Sequence, residues 1–111
     1  HAMWKILQQK KPDDYVIATG KQYTIKKFIE IVCKELQIKI KWKGKGINLK
    51  AYDNKNNLII ECNKKYYRPT EVNSLLGDAS KARKKLNWKV KTPILKLVRE
   101  MISYEIKHLN K

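Results

Sequence analysis

Apolar residues recur along this chain in two different rhythms. Ile25, Phe28, Ile29, Val32 and Leu36 follow at steps of three and four, the period of a helix with one buried stripe. Thr24 precedes them with an oxygen suited to capping the first N–H groups. Ile38, Ile40 and Trp42 instead alternate with Lys39, Lys41 and Lys43, the period of a strand with one buried face. Residues 48–52 and 58–62 predict hairpin strands around the turn Asp53-Asn54-Lys55-Asn56-Asn57. Asp78 is placed to cap a helix over residues 79–86, and Asn87 suits the left-handed conformation that ends one. Thr92-Pro93 opens a last helix, with Pro93 at its first position and Ile94, Leu97, Val98, Met101 and Ile102 as its apolar stripe.

At the amino end, Trp4, Ile6 and Leu7 mark a helix over residues 2–10. It lacks an N-cap, which reads as the sign of a cut fragment. A turn at Lys11-Pro12-Asp13-Asp14 leads to an apolar strand at residues 15–18, stopped by Thr19-Gly20. Trp88 is expected to pack where the 79–86 helix turns back. The order helix, strand, helix, strand, hairpin, helix, helix predicts a small mixed α/β domain over residues 1–111.

Composition narrows the function classes. No run approaches the roughly 20 apolar residues that cross a bilayer, so no membrane partner is expected. Cys33 and Cys62 lie far apart without metal-ligand spacing, and we expect buried or half-buried thiols of a cytoplasmic protein. The net charge of +16 comes from 23 lysines and only three arginines against ten acids. Lysines are spread along the chain, whereas base and phosphate recognition favours the arginine fork. No specific nucleic-acid partner is expected. The alternative is a free-standing lysine-rich nucleic-acid module built on Lys39, Lys41, Lys43 and Lys45 with Trp42 and Tyr52.

Catalytic and metal-binding groups are absent from this reading. His1 and His108 have no nucleophile partner, the acids are scattered, and no cluster has metal-ligand spacing. Gly44-Lys45-Gly46 is too short to cradle a phosphate and reads as a turn. One stretch does carry chemistry: Tyr66-Tyr67-Arg68-Pro69-Thr70-Glu71-Val72, running on through Leu75, Leu76, Gly77 and Asp78. Arg68 suits bidentate phosphate recognition, and Glu71, three residues on, suits sugar hydroxyls. Together they read either as a sugar-nucleotide clamp or as an internal salt bridge that pins a loop. Tyr66 and Tyr67 can stack on a base or a sugar, or pack into the core.

The same stretch resembles the carboxyl-terminal part of GDP-mannose 4,6-dehydratases. The resemblance begins in Ala2-Met3-Trp4 and Leu7-Gln8-Gln9, and runs through residues 11–20 and Trp42-Lys43-Gly44-Lys45-Gly46. It is most specific in Tyr67-Arg68-Pro69-Thr70-Glu71-Val72 with Leu75-Leu76-Gly77-Asp78. Ser80-Lys81-Ala82, Leu86-Asn87-Trp88 and Leu97-Val98-Arg99-Glu100-Met101 extend it. Departures lie outside the clamp: Asn87 stands where members often have Gly, and Asn63-Lys64 where Asp-Pro is frequent.

The resemblance implies an extended short-chain dehydrogenase/reductase whose amino-terminal Rossmann domain binds NADP. A smaller carboxyl-terminal domain, of which this chain would be the substrate-binding part, takes GDP-mannose. The parent reaction yields GDP-4-keto-6-deoxymannose on the way to GDP-fucose and related sugars, in an enzyme expected to be a homo-oligomer. Its Thr/Ser, Glu and Tyr-x-x-x-Lys catalytic groups have no counterpart here, so the chain alone is expected to be inactive. Arg68 carries over as the diphosphate contact and Glu71 as the ribose contact. A related dehydratase or epimerase acting on another sugar nucleotide is a further alternative.

Overall fold

Helix α2 (Ile25–Glu35) forms where the period of three and four places it. In this computed structural model, which describes residues 1–68, 70 and 74–109, Thr24 caps it by accepting a hydrogen bond from the Lys27 N–H at 3.1 Å. Phe28, Ile29 and Val32 are half-buried and Cys33 is buried, while Ile25 and Leu36 at the ends of the stripe stay exposed. The helix stops in a Schellman turn. Gln37 takes φ 57°, its N–H reaches the Lys34 carbonyl, and the Ile38 N–H reaches the Cys33 carbonyl at 2.8 Å.

That turn consumes residues 37 and 38, so the strand expected to begin at Ile38 is β1 (Lys41–Lys43) instead. It pairs antiparallel with β2 (Lys50–Tyr52), which pairs antiparallel with β3 (Leu58–Glu61) in the order β1-β2-β3. Trp42, Ala51 and Ile60 stand opposite one another across the sheet, and Ala51 is fully buried. A bulge between Ala51 and Tyr52 sets Tyr52 against Leu58. The hairpin turn is tied by one carboxylate. Asp53 accepts from the Lys55 and Asn57 N–H groups at 2.8 Å each and from the Asn57 side-chain amide at 2.9 Å. Gly44 has φ +83°, and a Cβ there would lie 2.2 Å from the Asn48 carbonyl oxygen. Helix α4 (Ile94–Leu109) begins one residue after Pro93, which the sequence predicts as its first position, and buries Val98 completely. Arg99 clasps Glu35 of α2 through Nε at 2.6 Å and Nη2 at 3.3 Å. These elements form one unit, Thr24–Val72 with Leu95–Lys111.

The other unit is His1–Tyr23 with Asn73–Ile94. Helix α1 (Ala2–Leu7) ends three residues earlier than its apolar pattern suggests. Helix α3 (Ser80–Leu86) ends at Asn87, whose φ 47° and ψ 39° are the left-handed stop read from the sequence. Its carbonyls at Leu86 and Asn87 receive the Lys5 ammonium at 2.8 and 3.0 Å, a favourable cation at a helix C-terminus. Ala79, Ala82 and Leu86 are buried, and Trp88 just beyond is half-buried. The helix starts at Ser80, one residue later than expected, with Ala79 at the cap position, and Asp78 lies just before it, accepting from the Ser80 N–H at 2.8 Å. The strand expected at residues 15–18 is not formed. No ladder pairs these residues, and Val16 and Ile17 remain exposed, because apolar alternation makes a strand only where a neighbour supplies hydrogen bonds. Instead the segment packs on Gly77, where a Cβ would lie 2.6 Å from the Ala18 Cβ. Asp13 bonds Lys81 at 2.5 Å and Lys85 at 3.2 Å, fastening the 11–14 turn to α3.

Two predictions follow from these contacts. Gly77→Ala should cost about 1–3 kcal/mol by overpacking, and Gly44→Ala at least as much, because a backbone oxygen cannot give way. Gly46→Ala, at φ +54° with open space around it, should cost only the left-handed penalty of about 1–2 kcal/mol. Urea unfolding of the three variants checks the order, and a Gly44→Ala midpoint equal to the parent's would refute the clash. The second concerns pH. Lys81 and then Lys85 hold the Asp13 carboxyl at about 2, below its ordinary 3.8. A carboxyl depressed by folding stabilises fully above its unfolded value and loses that contribution as pH falls through the folded one. Stability should therefore decline from about pH 4 toward pH 2, with a shallower slope in Asp13→Asn. The pair is exposed, so the difference is small.

Candidate functional site

The stretch around Arg68 is built on Asn63. Its side-chain Oδ1 accepts from the Lys65 N–H at 2.9 Å, and its carbonyl accepts from the Tyr66 N–H at 3.0 Å. The result is a 3-10 turn, Lys64–Tyr66, closed by the Tyr67 N–H on the Lys64 carbonyl at 3.1 Å. Tyr67 then returns to extended backbone with φ −68° and ψ 128° and delivers Arg68 to the surface. The Lys65 ammonium stands 5.8 Å from the centre of the Tyr66 ring. Tyr66 and Tyr67 are 74% and 64% exposed, so neither packs into the core. Arg68 is exposed, and among the described residues no carboxylate pairs with it. Glu71 lies outside the described residues, as do Pro69 and Val72.

Asn63 gave no warning in the sequence. A single Asn ahead of two lysines carries no helical period, and only its capping preference points to a turn. Downstream, Asp78 also accepts from the Ser80 hydroxyl at 2.5 Å. These Ser80 bonds, side chain and then backbone, hold its carboxyl below the usual range. Arg83 bonds the same Ser80 oxygen at 2.9 Å. Gly77 and Asp78 of the motif are thus structural: one permits close packing and the other starts α3.

Lys41, Lys43 and Lys50 lie on the sheet face opposite Trp42, around Tyr52, whose ring is 5.2 Å from the Lys43 ammonium. Lys50 is paired with Glu61 at 3.2 Å. Trp42 on the other face has the Lys26 ammonium 5.2 Å from its ring. Gly44-Lys45-Gly46 joins β1 to a three-residue 3-10 turn, Gly46–Asn48, and Gly44 meets the Asn48 carbonyl. A dinucleotide cradle instead leads from a strand into a long helix, so these residues do not fit NADP. Cys33 and Cys62 are free, Cys33 buried with its thiol pushed up by burial and Cys62 exposed. His108 stacks on Tyr104 at 4.0 Å and bonds the Tyr104 carbonyl through Nδ1 at 2.7 Å. Among the described residues no three His, Cys, Asp or Glu gather to hold a metal, and no helix is long and apolar enough to cross a membrane.

The family model described as GDP-mannose 4,6 dehydratase matches residues 1–101, a span that includes Arg68 and Glu71. The chain belongs to this family. It is 44% identical over 109 residues to the GDP-mannose 4,6 dehydratase of Dictyostelium discoideum, covering 97% of this chain and 31% of that protein. The Drosophila melanogaster GDP-mannose 4,6 dehydratase is 42% identical over 99% of this chain and 28% of its own length. The Yersinia enterocolitica GDP-mannose 4,6-dehydratase is 37% identical over 93% of this chain and 31% of its own. The chain spans about three tenths of the length of the curated GDP-mannose 4,6-dehydratases it matches.

The Asn63 turn is directly testable. Asn63→Ala should raise amide hydrogen exchange at Lys65, Tyr66 and Tyr67, with a net loss of about 0.5–1.5 kcal/mol for the side-chain bond. Asn63→Asp, which keeps the acceptor, should restore protection. Unchanged exchange in the alanine variant would show that the turn holds without its cap.

Proposed function

We propose that this chain is the sugar-nucleotide-binding region of a GDP-mannose 4,6-dehydratase. In this reading Arg68 takes the diphosphate of GDP-mannose and Glu71 accepts from the ribose hydroxyls. NADP and the catalytic Thr/Ser, Glu and Tyr-x-x-x-Lys groups belong to a Rossmann domain outside this chain, and the chain alone is inactive. The observation that carries the proposal is the family match over residues 1–101, which includes the Arg68 motif. Local geometry supports it. The Asn63-capped turn presents a guanidinium at the surface beside Lys64 and Lys65. Three cations within five residues, Lys64, Lys65 and Arg68, in a chain of net charge +16, favour a dianionic group at close range, where screening by salt is weakest.

A second reading draws on the sheet. Lys41, Lys43 and Lys50 around Tyr52 form a basic face with one aromatic ring, the general form of a single-stranded nucleic-acid platform. Its one acid, Glu61, already holds Lys50. This face is the weaker candidate because its cations are lysines, which bind phosphate as point charges without a planar fork.

Titration of the complete protein that carries this chain with GDP-mannose decides between them. Arg68→Ala should weaken binding roughly ten- to hundredfold, the loss expected for charged hydrogen bonds. Reversal of Lys41 and Lys43 to Glu should leave it within about threefold. UDP- and dTDP-sugars should compete poorly. An Arg68→Ala protein with parental affinity would remove Arg68 from the site, and preference for a UDP- or dTDP-sugar would move the chain to another substrate.

A further inference from the structure

We infer that Tyr66 is the base platform of the nucleotide site, its ring stacking on the purine while Arg68 takes the diphosphate. This rests on the sugar-nucleotide reading above. The sequence left two roles for the tyrosine pair, core packing or stacking on a ligand. Within this chain neither ring packs into a core, Tyr66 being 74% and Tyr67 64% exposed. Tyr66 stands two positions before Arg68 with its ring exposed, and an exposed aromatic face can stack on any base.

Local geometry favours Tyr66 over its neighbour. It is the last residue of the 3-10 turn, its backbone held by the bond from its own N–H to the Asn63 carbonyl at 3.0 Å. The Lys65 ammonium lies 5.8 Å from its ring centre, which places a cation beside the ring that would meet the nucleotide. Arg68 lies two positions beyond Tyr66, a reach of at most about 7 Å. Base and diphosphate of one nucleotide therefore fall to side chains of one short, capped segment. Tyr67, with extended backbone and no cation beside it among the described residues, is assigned no ligand contact.

The test compares two probes on the complete protein that carries this chain: GDP, and inorganic pyrophosphate, which lacks the base. Tyr66→Leu should weaken GDP binding roughly tenfold or more, the range measured for removing one base-stacking ring, and leave pyrophosphate affinity within about twofold. Tyr66→Phe should bind GDP like the parent. Tyr67→Leu should also bind GDP like the parent. Equal losses for GDP and pyrophosphate in Tyr66→Leu would mean that the ring only supports the turn, and would overturn the inference. So would parental GDP affinity in Tyr66→Leu, or a loss confined to Tyr67→Leu, with the sugar-nucleotide reading left standing. A parent protein that binds neither probe would overturn both.

Discussion

The carboxylate accepting hydrogen bonds is the interaction on which both units of this chain depend. Ten acids face 26 basic residues, so each acid can choose among partners, and four of them hold a junction. Asp13 fastens the 11–14 turn to α3 through Lys81 and Lys85. Glu35 joins α2 to α4 through the Arg99 fork, and that fork depresses its carboxyl. Asp53 closes the hairpin and Asp78 opens α3. Asp13 and Asp78 are exposed and Glu35 and Asp53 half-buried, and pairs this open to water add little stability. Their contribution is positional: they choose which turn and which helix start the chain adopts. The apolar core is too small to do that alone. Among the described residues its buried members are Cys33, Ala51, Val98, Ala79, Ala82 and Leu86, mostly small residues divided between the two units.

This division of labour explains what was legible in the sequence. Elements set by local rules were. Thr24 announces α2, Asn87 stops α3 in the left-handed region, and Pro93 precedes α4. The turn at residues 53–57 is written in its Asp and Asn content. Elements set by pairing were not. Residues 15–18 have a strand's composition, but a ladder needs a second strand, and no composition supplies one. The start of β1 was misplaced because Gln37 occupies the left-handed position that a glycine usually marks. Without that signal, Ile38 and Ile40 look like the strand's beginning instead of the helix's exit.

The site was half legible for the same reason. Arg68 announces itself by residue type and motif. Its supporting turn rests on one hydrogen bond from Asn63 and on a tyrosine that, by composition, belongs as readily in a core. Only the folded chain shows that ring in water. The downstream half of the motif was easier to over-read, since Gly77 and Asp78 sit in the most specific run yet serve packing and helix initiation.

The arginines give the last step. There are three in the chain against 23 lysines, so a biased supply of basic residues accounts for the lysines more readily than for these positions. Arg99 is used as a two-pronged fork on a carboxylate, a geometry that an ammonium cannot reproduce. Arg83 bonds Ser80 at 2.9 Å and stands 3.7 Å from Asp78, bracing the start of α3. Where the fold can be seen to use arginine, it uses the planar, multidentate donor and leaves solvation to lysine. Arg68 is the third, and the structure gives it an exposed position on a capped turn beside two lysines and two exposed tyrosines. In the proposed reading, a chain this sparing with arginine places one where the planar fork would meet a diphosphate.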